Sequence, residues 1–263
     1  MTSPNLPSTH LRSVVGKRFV TPLREGGSLP GIVEGDDLGT YVCKFRGAGQ
    51  GLPVLAAEVI VGELARALGL LTPELVELQI SEPMARYEAD EEVQDLLNAS
   101  LGLNLGVDFL PGSFGFDTSL AIDPSYAAKV IWLDALVANV DRSWRNPNLL
   151  WWHQKLWLID HGASLYFHHG WRTGITDPAR FAAAHWSVDD HALVAHVAGV
   201  PAVDDQLAAL VTDELLRQIV ALVPDDWLGF VAGVSADDVR TAYCDFLRAR
   251  LDNRAVWLPG GTR

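Results

Sequence analysis

Short apolar runs alternate with glycine-rich turns over residues 12–46, at the start of the chain. This pattern predicts a small antiparallel sheet, because short runs of β-branched and aromatic residues between turn residues are typical of strands. The connection from Gly26 to Gly31 contains too much glycine to be helical. The four predicted strand segments are Val14-Val15, Phe19-Val20, Ile32-Val33 and Tyr41 to Phe45.

The period of the pattern changes after this sheet. Apolar side chains recur at helical spacing from Pro53 to Leu68, and proline is favoured in the first turn of a helix. Leu75 to Ile80 has the character of a strand. Glu82 to Ala99 is a polar segment that we predict to be helical, and Gly106 to Phe116 is extended and apolar.

The second half of the chain has a mainly helical pattern. We predict one helix at about residues 124–139 and a set of helices from Asp189 to Leu251. No segment repeats with a period of about 20–50 residues, which excludes a repeat protein. Strands followed by helices, without regular strand–helix alternation, predict an α+β chain.

The composition excludes several classes of protein. The chain has 263 residues, 49% of them hydrophobic, which suffices for one large domain or for two lobes. Its formal net charge of −13 repels nucleic acid and anionic membranes, so we predict neither as a partner. No apolar run approaches the roughly 20 residues of a membrane span, and Met1 to His10 lacks the hydrophobic segment of a signal peptide. Cys43 and Cys244 lie in apolar surroundings, so we predict buried thiols in a cytoplasmic protein.

The strongest chemical signal is the stretch Asn139 to Asn146 followed by Asp160. An Asp, an Asn five residues later and a second Asp after a short apolar strand are the residues that phosphoryl transfer requires. The first Asp accepts a hydroxyl proton, and the other two residues hold Mg²⁺ against ATP. The competing interpretation is an Asp/Asn-rich turn, in which these residues and Pro147 are common for conformational reasons.

Three weaker signals lie upstream in the order that this chemistry needs. Lys44 interrupts an apolar strand, and Glu58 lies in the following helix among small and apolar residues. Each alone is more often a solvated or snorkelling side chain. Together they match an ion pair that positions a lysine on nucleotide phosphates. The turn Gly26 to Gly31 precedes them, and glycine lets backbone amides approach a phosphate.

With these residues the chain resembles the HipA-like kinases, a bacterial branch of the protein-kinase-like fold. The resemblance covers about residues 15–255 and is carried by Gly26-Gly27-Ser28-Leu29-Pro30, Lys44, Glu58, Asn139-x-Asp141-x-x-x-Arg145-Asn146 and Asp160. It implies a two-lobed fold with a small β-rich N-lobe and a larger, mainly helical C-lobe. We predict the N-lobe at 12–105, a linker at 106–116 and the C-lobe at 117–255, with tails at 1–11 and 256–263.

The resemblance also implies a role for each matching residue. Asp141 is the general base, Asn146 and Asp160 are Mg²⁺ ligands, and Arg145 steadies the γ-phosphate. Lys44 contacts the ATP phosphates and Glu58 anchors it. The remaining nucleotide contacts fall on the phosphate loop, Gly26, Gly27 and Ser28, and on an adenine pocket at Phe109 and Leu110.

Two departures from the family limit what is transferred. Full-length HipA toxins carry a further N-terminal domain for which we expect no room here, so a toxin-type regulatory partner does not follow. Ser143 stands where many kinases carry a basic or imidazole side chain, so we expect part of the charge stabilisation to be either missing or supplied elsewhere. Asp160-His161-Gly162 also differs from the Asp-Phe-Gly of eukaryotic kinases.

Two rival motifs are weaker. Gly47-Ala48-Gly49-Gln50-Gly51 follows a strand as dinucleotide-binding loops do, but its third glycine comes one residue early and no strand–helix series follows. We interpret it as a flexible connection between lobes. Seven of eight histidines lie between His153 and His196, without a zinc-ligand spacing, so we expect surface or hydrogen-bonded histidines, with His161 beside the metal site.

The predicted function is therefore ATP- and Mg²⁺-dependent phosphorylation of a Ser or Thr hydroxyl on a protein. Two alternatives remain open: a kinase for a small molecule or lipid headgroup, and a catalytically silent nucleotide-binding scaffold. The segment from Ser164 to Trp186 is the expected substrate-side loop, and Ser28 is a candidate autophosphorylation site.

Overall fold

The computed structural model describes residues 10–23, 29–49, 51–82, 84 and 90–260. They form two compact units. The barrel unit consists of residues 10–55 and 73–111, and the helical unit contains residues 56–72 and the chain from Gly112 onward. The predicted lobe boundaries stay a prediction: in this division residues 56–72 group with the C-terminal part of the chain, and residues 106–111 of the predicted linker group with the barrel.

Five strands close the barrel in the order β1-β2-β3-β5-β4. Neighbouring strands are antiparallel except β1 and β4, which are parallel. Buried side chains alternate with half-buried ones along β3 and from Val76 to Ile80 of β4, so that one face of each strand fills the barrel. The strands are β1 (Arg12–Pro22), β2 (Gly31–Gly35), β3 (Thr40–Lys44), β4 (Leu75–Ile80) and β5 (Gly102–Asp108).

Helix α1 (Leu52–Ala67) and helix α2 (Glu91–Ala99) follow the predicted helical segments. The Asp90 carboxylate caps α2 by accepting from the Glu92 amide at 3.0 Å. Val93 and Leu97 of α2 pack into the hydrophobic core of the barrel. Of the helix predicted over 82–99, residues 83 and 85–89 lie outside the described residues.

The helical unit is built around α3 (Pro124–Val137), which is buried on nearly all sides from Ala127 onward. Asp123 caps its first turn and Pro124 occupies the first helical position. The helices predicted from Asp189 begin later, at a 3₁₀ turn over Val194–Gly199. The remaining α-helices are α4 (Pro178–Ala182), α5 (Val200–Leu210), α6 (Asp213–Val220), α7 (Ala236–Asp252) and α8 (Arg254–Trp257).

A three-stranded antiparallel sheet completes the helical unit. It contains β6 (Phe114–Gly115), β7 (Leu149–Trp152) and β8 (Lys155–Leu158). His153 and Gln154 join β7 to β8 with φ angles of 47° and 59°, as a two-residue hairpin that matches the twist of its strands requires. This hairpin sets where β8 ends, and therefore where Asp160 lies.

Gly47 of the glycine-rich motif is required by close packing. A Cβ atom at this position would lie 2.7 Å from the carbonyl oxygen of Ala99, at the end of α2. We expect Gly47→Ala to lower the free energy of unfolding by about 1–3 kcal/mol, because backbone has to shift. Gly49→Ala is the matched control: a Cβ there meets nothing within 4 Å, so we expect unchanged or slightly higher stability. Equal stability of the two variants in denaturant unfolding would contradict the packing explanation.

The two cysteines differ in burial. Cys43 is buried in the barrel core as predicted, whereas Cys244 on α7 is half-buried, so the prediction of a buried thiol is wrong there. Burial raises the pKa of Cys43 well above its usual value. Burial also raises the pKa of Cys244, to about 11. Neither thiol is activated for nucleophilic chemistry.

Within the described residues, no single helix has the length and apolar character needed to cross a membrane. Two consecutive helical segments, Val194–Leu210 and Asp213–Val220, are together long and apolar enough for a membrane span, but the chain bends by 75° at the break between them. Buried side chains from both members of this pair, among them Leu207 and Ile219, contribute to the protein core.

Candidate active site

The segment after α3 is a loop, as the position of Pro147 predicts. The helix ends where Ala138 adopts a left-handed conformation, and the amide of Asn139 donates to the carbonyl of Asp134 at 2.9 Å. The buried Asn139 side chain then donates to the Asp134 carboxylate at 2.9 Å and accepts from the Asp141 amide at 3.0 Å. Asn139 therefore ties the start of the loop to the core helix.

Asp141 is held by two asparagines. Its Oδ2 accepts from Asn146 Nδ2 at 2.9 Å and from Asn148 Nδ2 at 3.1 Å. Its Oδ1 accepts no hydrogen bond within the described residues and is available to a substrate hydroxyl. The half-buried carboxylate is thus oriented before any substrate binds.

Asn146 has the donor chemistry of a magnesium ligand. Because its Nδ2 is committed to Asp141, its Oδ1 is turned away from that bond and offers a hard oxygen donor. Ser143 fixes the backbone here: its amide donates to the Asn146 carbonyl at 3.1 Å, and its hydroxyl accepts from the Asn146 amide at 3.3 Å. Ser143 therefore closes the loop around Asn146. At the position where many kinases carry a basic side chain, this chain has a residue that holds the backbone of the loop.

Asp160 follows β8 directly and has the left-handed φ of 54°. Asp is among the few residues other than glycine that adopt this conformation readily. The preceding residue, Ile159, donates its amide to the Asn148 carbonyl at 3.1 Å, which connects the end of β8 to the Asp141 loop. The side chain of Asp160 is exposed, and its carboxylate oxygens suit Mg²⁺ as those of Asn146 do.

A buried ionic network lies beneath the loop. Asp134 and Arg142 have fully buried side chains, and Arg142 Nε donates to Asp134 Oδ2 at 2.7 Å. His191 Nε2 lies 3.0 Å from the same oxygen, while its Nδ1 accepts from the Leu193 amide at 3.0 Å, so Nε2 carries the proton. Burial raises the pKa of Asp134, but Arg142, His191 and Asn139 outweigh it and lower the pKa to about 2.

Glu58 contacts the turn that contains Asp160. Its Oε2 accepts from the His161 amide at 3.0 Å and its Oε1 from the Gly162 amide at 2.8 Å. The sequence interpretation assigned Glu58 to anchor Lys44, which lies on β3 of the barrel unit, and that role stays a prediction. The contact with residues 161–162 was not predicted.

The other predicted site residues are distributed over both units. The Arg145 guanidinium lies 4.3 Å from the ring centre of Trp144, whose side chain is 60% exposed. Phe109 is exposed and Leu110 is buried, and the Phe109 amide donates to the Thr40 carbonyl at 2.9 Å. Gly26, Gly27 and Ser28 of the predicted phosphate loop lie outside the described residues.

The histidines behave as hydrogen-bonded residues. His161 Nδ1 lies 3.3 Å from Arg142 Nη2 and must accept there, because a guanidinium only donates. His168 Nδ1 lies 2.9 Å from the Tyr243 hydroxyl, and burial lowers the pKa of His168 well below its usual value. Over the described part of the chain, no three His, Cys, Asp or Glu side chains cluster so that they could hold a metal ion by themselves, as a zinc site of this kind would.

Sequence reasoning missed four residues that organise the site: Asp134, Arg142, Asn148 and His191. One signal for Asp134 was available, because it is a charge inside the apolar helix run Val130 to Val137. His191 lies 57 residues from Asp134, and no local pattern joins them. The contacts of Arg142 and Asn148 likewise depend on the folded path of the loop.

Two solved kinase structures are similar to this chain. A crystal structure of the Helicobacter pylori proinflammatory kinase CtkA aligns with a TM-score of 0.51 and 10% identity, covering 92% of this chain and 95% of that chain. A structure of the Golgi casein kinase with Mn/ADP bound aligns with a TM-score of 0.45 and 11% identity, covering 95% of this chain and 74% of that chain. No curated protein matches the sequence significantly.

The likeness to CtkA confirms the predicted two-lobed, kinase-like α+β fold. The family model described as HipA-like kinase matches residues 17–253, nearly the range over which the resemblance was predicted. This match confirms the predicted family and supports a phosphotransferase. By this match, which spans most of its length, the chain belongs to the HipA-like kinase family.

Proposed function

We propose that the protein transfers the γ-phosphoryl group of ATP to a Ser or Thr hydroxyl of a protein substrate, with Mg²⁺. The observation that carries the proposal is the orientation of Asp141, whose Oδ2 is held by two asparagine amides while Oδ1 remains open. A base held in one geometry is what transfer from a hydroxyl requires.

The chemistry assigns one role to each atom. The substrate hydroxyl oxygen attacks the γ-phosphorus as its proton passes to Asp141 Oδ1. The bond from the γ-phosphorus to the β–γ bridging oxygen breaks, and ADP leaves with that oxygen. Mg²⁺, when bound, neutralises phosphate charge, and Asn146 Oδ1 and the Asp160 carboxylate would hold it.

Further residues would bind the nucleotide. Lys44 on β3 would contact the phosphates, and Arg145 would steady the γ-phosphate because guanidinium pairs well with phosphate oxygens. Phe109 and Leu110 would line the adenine pocket; the Phe109 amide is engaged by Thr40, so its ring and carbonyl are the available groups.

We place the surface that binds the substrate protein on the segment that follows Asp160. Over Ser164–Trp186, Trp171 and Phe181 are buried and anchor a 3₁₀ helix and α4. His169 and Gly170, just before Trp171, and residues 172–173, just after it, are exposed and can meet a polypeptide. A protein acceptor is the proposal; small molecules and lipid headgroups are the alternatives that the test must separate.

The test is ATP binding and turnover by the whole chain with and without Mg²⁺, followed by transfer of radiolabelled γ-phosphate in a cell lysate. We expect Mg²⁺-dependent turnover and labelled protein bands. Turnover with no labelled protein would favour a small-molecule or lipid acceptor. ATP binding without turnover would reduce the protein to a nucleotide-binding scaffold, and no binding would refute the proposal. Peptide mapping of the same sample tests Ser28: no phosphate there would exclude autophosphorylation at that residue.

A further inference from the structure

The backbone around Asp160 is held by charged side chains on both of its sides. Asp160 adopts a φ of 54°, and the polar groups of the flanking peptide units are turned into the protein interior. The Asp160 side chain itself is exposed. The contacts that hold Ile159 and His161 therefore fix the backbone from which this carboxylate projects.

Arg142 holds the side that precedes Asp160. Its Nη1 donates to the Ile159 carbonyl at 3.3 Å and to the Asn148 carbonyl, and its Nη2 donates to His161 Nδ1 at 3.3 Å. Its Nε is fixed on Asp134 at 2.7 Å. Because a guanidinium is planar and rigid, these contacts are set by a single group. Lysine carries the same charge, but its single ammonium group lacks the fixed, planar set of donors of the guanidinium.

Glu58 holds the side that follows Asp160. Its two oxygens each accept one backbone amide, from His161 at 3.0 Å and from Gly162 at 2.8 Å. The side chain is 2% exposed, so these bonds form in a region from which water is largely excluded. The positively charged side chain of Arg142 thus binds the carbonyl before Asp160, and the negatively charged side chain of Glu58 binds the amides after it.

We propose that Arg142 and Glu58 form a clamp that holds Asp160 in its left-handed conformation and thereby sets the affinity of the site for a divalent cation. Both act as positioning residues, since neither is a proposed metal ligand. Replacing a residue that hydrogen-bonds to a metal ligand and orients it typically lowers metal affinity 10- to 100-fold. The inference rests on the proposed function, in which Asp160 is a metal ligand.

The experiment measures Mn²⁺ binding to the full chain with a non-hydrolysable ATP analogue, by electron paramagnetic resonance, so that no turnover is required. We expect Arg142→Lys and Glu58→Gln each to weaken Mn²⁺ binding by about 10-fold or more. Glu58→Gln keeps one acceptor oxygen but places an NH₂ group against the second amide. Circular dichroism and thermal unfolding confirm that each variant is folded.

Arg250→Lys is the matched control. Arg250 is as buried as Arg142 and also donates to backbone carbonyls, those of Ala135, Leu136, Phe181 and Ala184, none of which adjoins Asp160. We expect this variant to lose stability while its Mn²⁺ affinity stays within about 2-fold of wild type.

A fourth variant separates the inference from the function on which it rests. Asp160→Asn should weaken Mn²⁺ binding more than any clamp variant; unchanged binding would refute the metal role of Asp160 itself. If Asp160→Asn weakens binding but folded Arg142→Lys and Glu58→Gln bind as wild type does, the clamp is refuted while the proposed function stands. If Arg142→Lys does not fold, Glu58→Gln decides the outcome from the ratio of its affinity for Mn²⁺ to its affinity for the metal-free ATP analogue, because Glu58 is also the predicted anchor of Lys44: a loss confined to Mn²⁺ supports the clamp, and an equal loss of both refutes it.

Discussion

Replacing Asp141 by Asn should lower the rate of phosphoryl transfer by about 10²- to 10⁴-fold, the usual contribution of a positioned base. Asn has the same shape, and its oxygen can face Asn146 and Asn148 as Asp141 Oδ2 does. The group presented to the substrate then becomes an NH₂, which accepts no proton. Because the loop keeps its hydrogen bonds, we expect ATP affinity within about 3-fold of wild type and unchanged thermal stability.

Asp190→Asn is the control for this variant. The backbone of Asp190 accepts from the Trp144 amide at 2.9 Å, so the residue lies against the same loop, but its side chain is exposed. It removes the same charge near the site without touching Asp141, and we expect turnover within about 2-fold of wild type. Single-turnover assays measure both variants. Transfer by Asp141→Asn at a third or more of the wild-type rate would refute the role of Asp141 as base.

Replacing Asp134 by Ala should destabilise the protein by about 3–5 kcal/mol, because it leaves the fully buried Arg142 without its countercharge. This is a large share of the roughly 5–15 kcal/mol by which proteins are stable. The melting temperature should fall by about 6–20 °C for a chain of this size. Glu214→Ala removes an exposed carboxylate paired with Arg217 and should cost about 1 kcal/mol or less.

The effect of Asp134→Ala should also depend on pH. In the folded protein the pKa of Asp134 is lowered to about 2, below the value of about 3.9 in an unfolded chain. A lowered pKa means that the contribution to stability is present above pH ~4 and is lost as the pH falls towards 2. Denaturant unfolding at pH 7, 5, 4 and 3 should therefore show a constant difference from wild type down to pH ~4 and a smaller one below it. A difference that grows on acidification would contradict the assignment of Asp134 as an ionised partner of Arg142.

Much of the fold was predictable from local patterns. The helix predicted over Pro53–Leu68 is α1, and the strand predicted over Leu75–Ile80 is β4 with the same ends. Such elements follow from side-chain periodicity, which is a property of neighbouring residues. The helical region expected from Asp189 begins later, because residues 189–193 form turns and a bridge that contact the Asp141 loop, through Asp190 with Trp144 and through His191 with Ser143.

The candidate catalytic residues were predictable for a chemical reason. A base, an amide ligand and a carboxylate ligand must come from types with the required donor atoms, and Asp141, Asn146 and Asp160 are such residues at a short spacing. Their roles could therefore be proposed before any geometry was known, and all three residues lie within the range 17–253 that the family model matches.

The groups that hold these residues in place were decided only by the tertiary structure. Glu58 and His161 are 103 positions apart, and Arg142 next to Asp141 is indistinguishable in sequence from a solvated arginine. Whether a charge is buried, and which partner compensates it, depends on how distant segments pack, because the cost of a buried charge arises from the loss of water. The sequence by itself therefore determined most of the strands and helices and allowed the reactive side chains to be proposed, whereas folding decided which buried charges orient them.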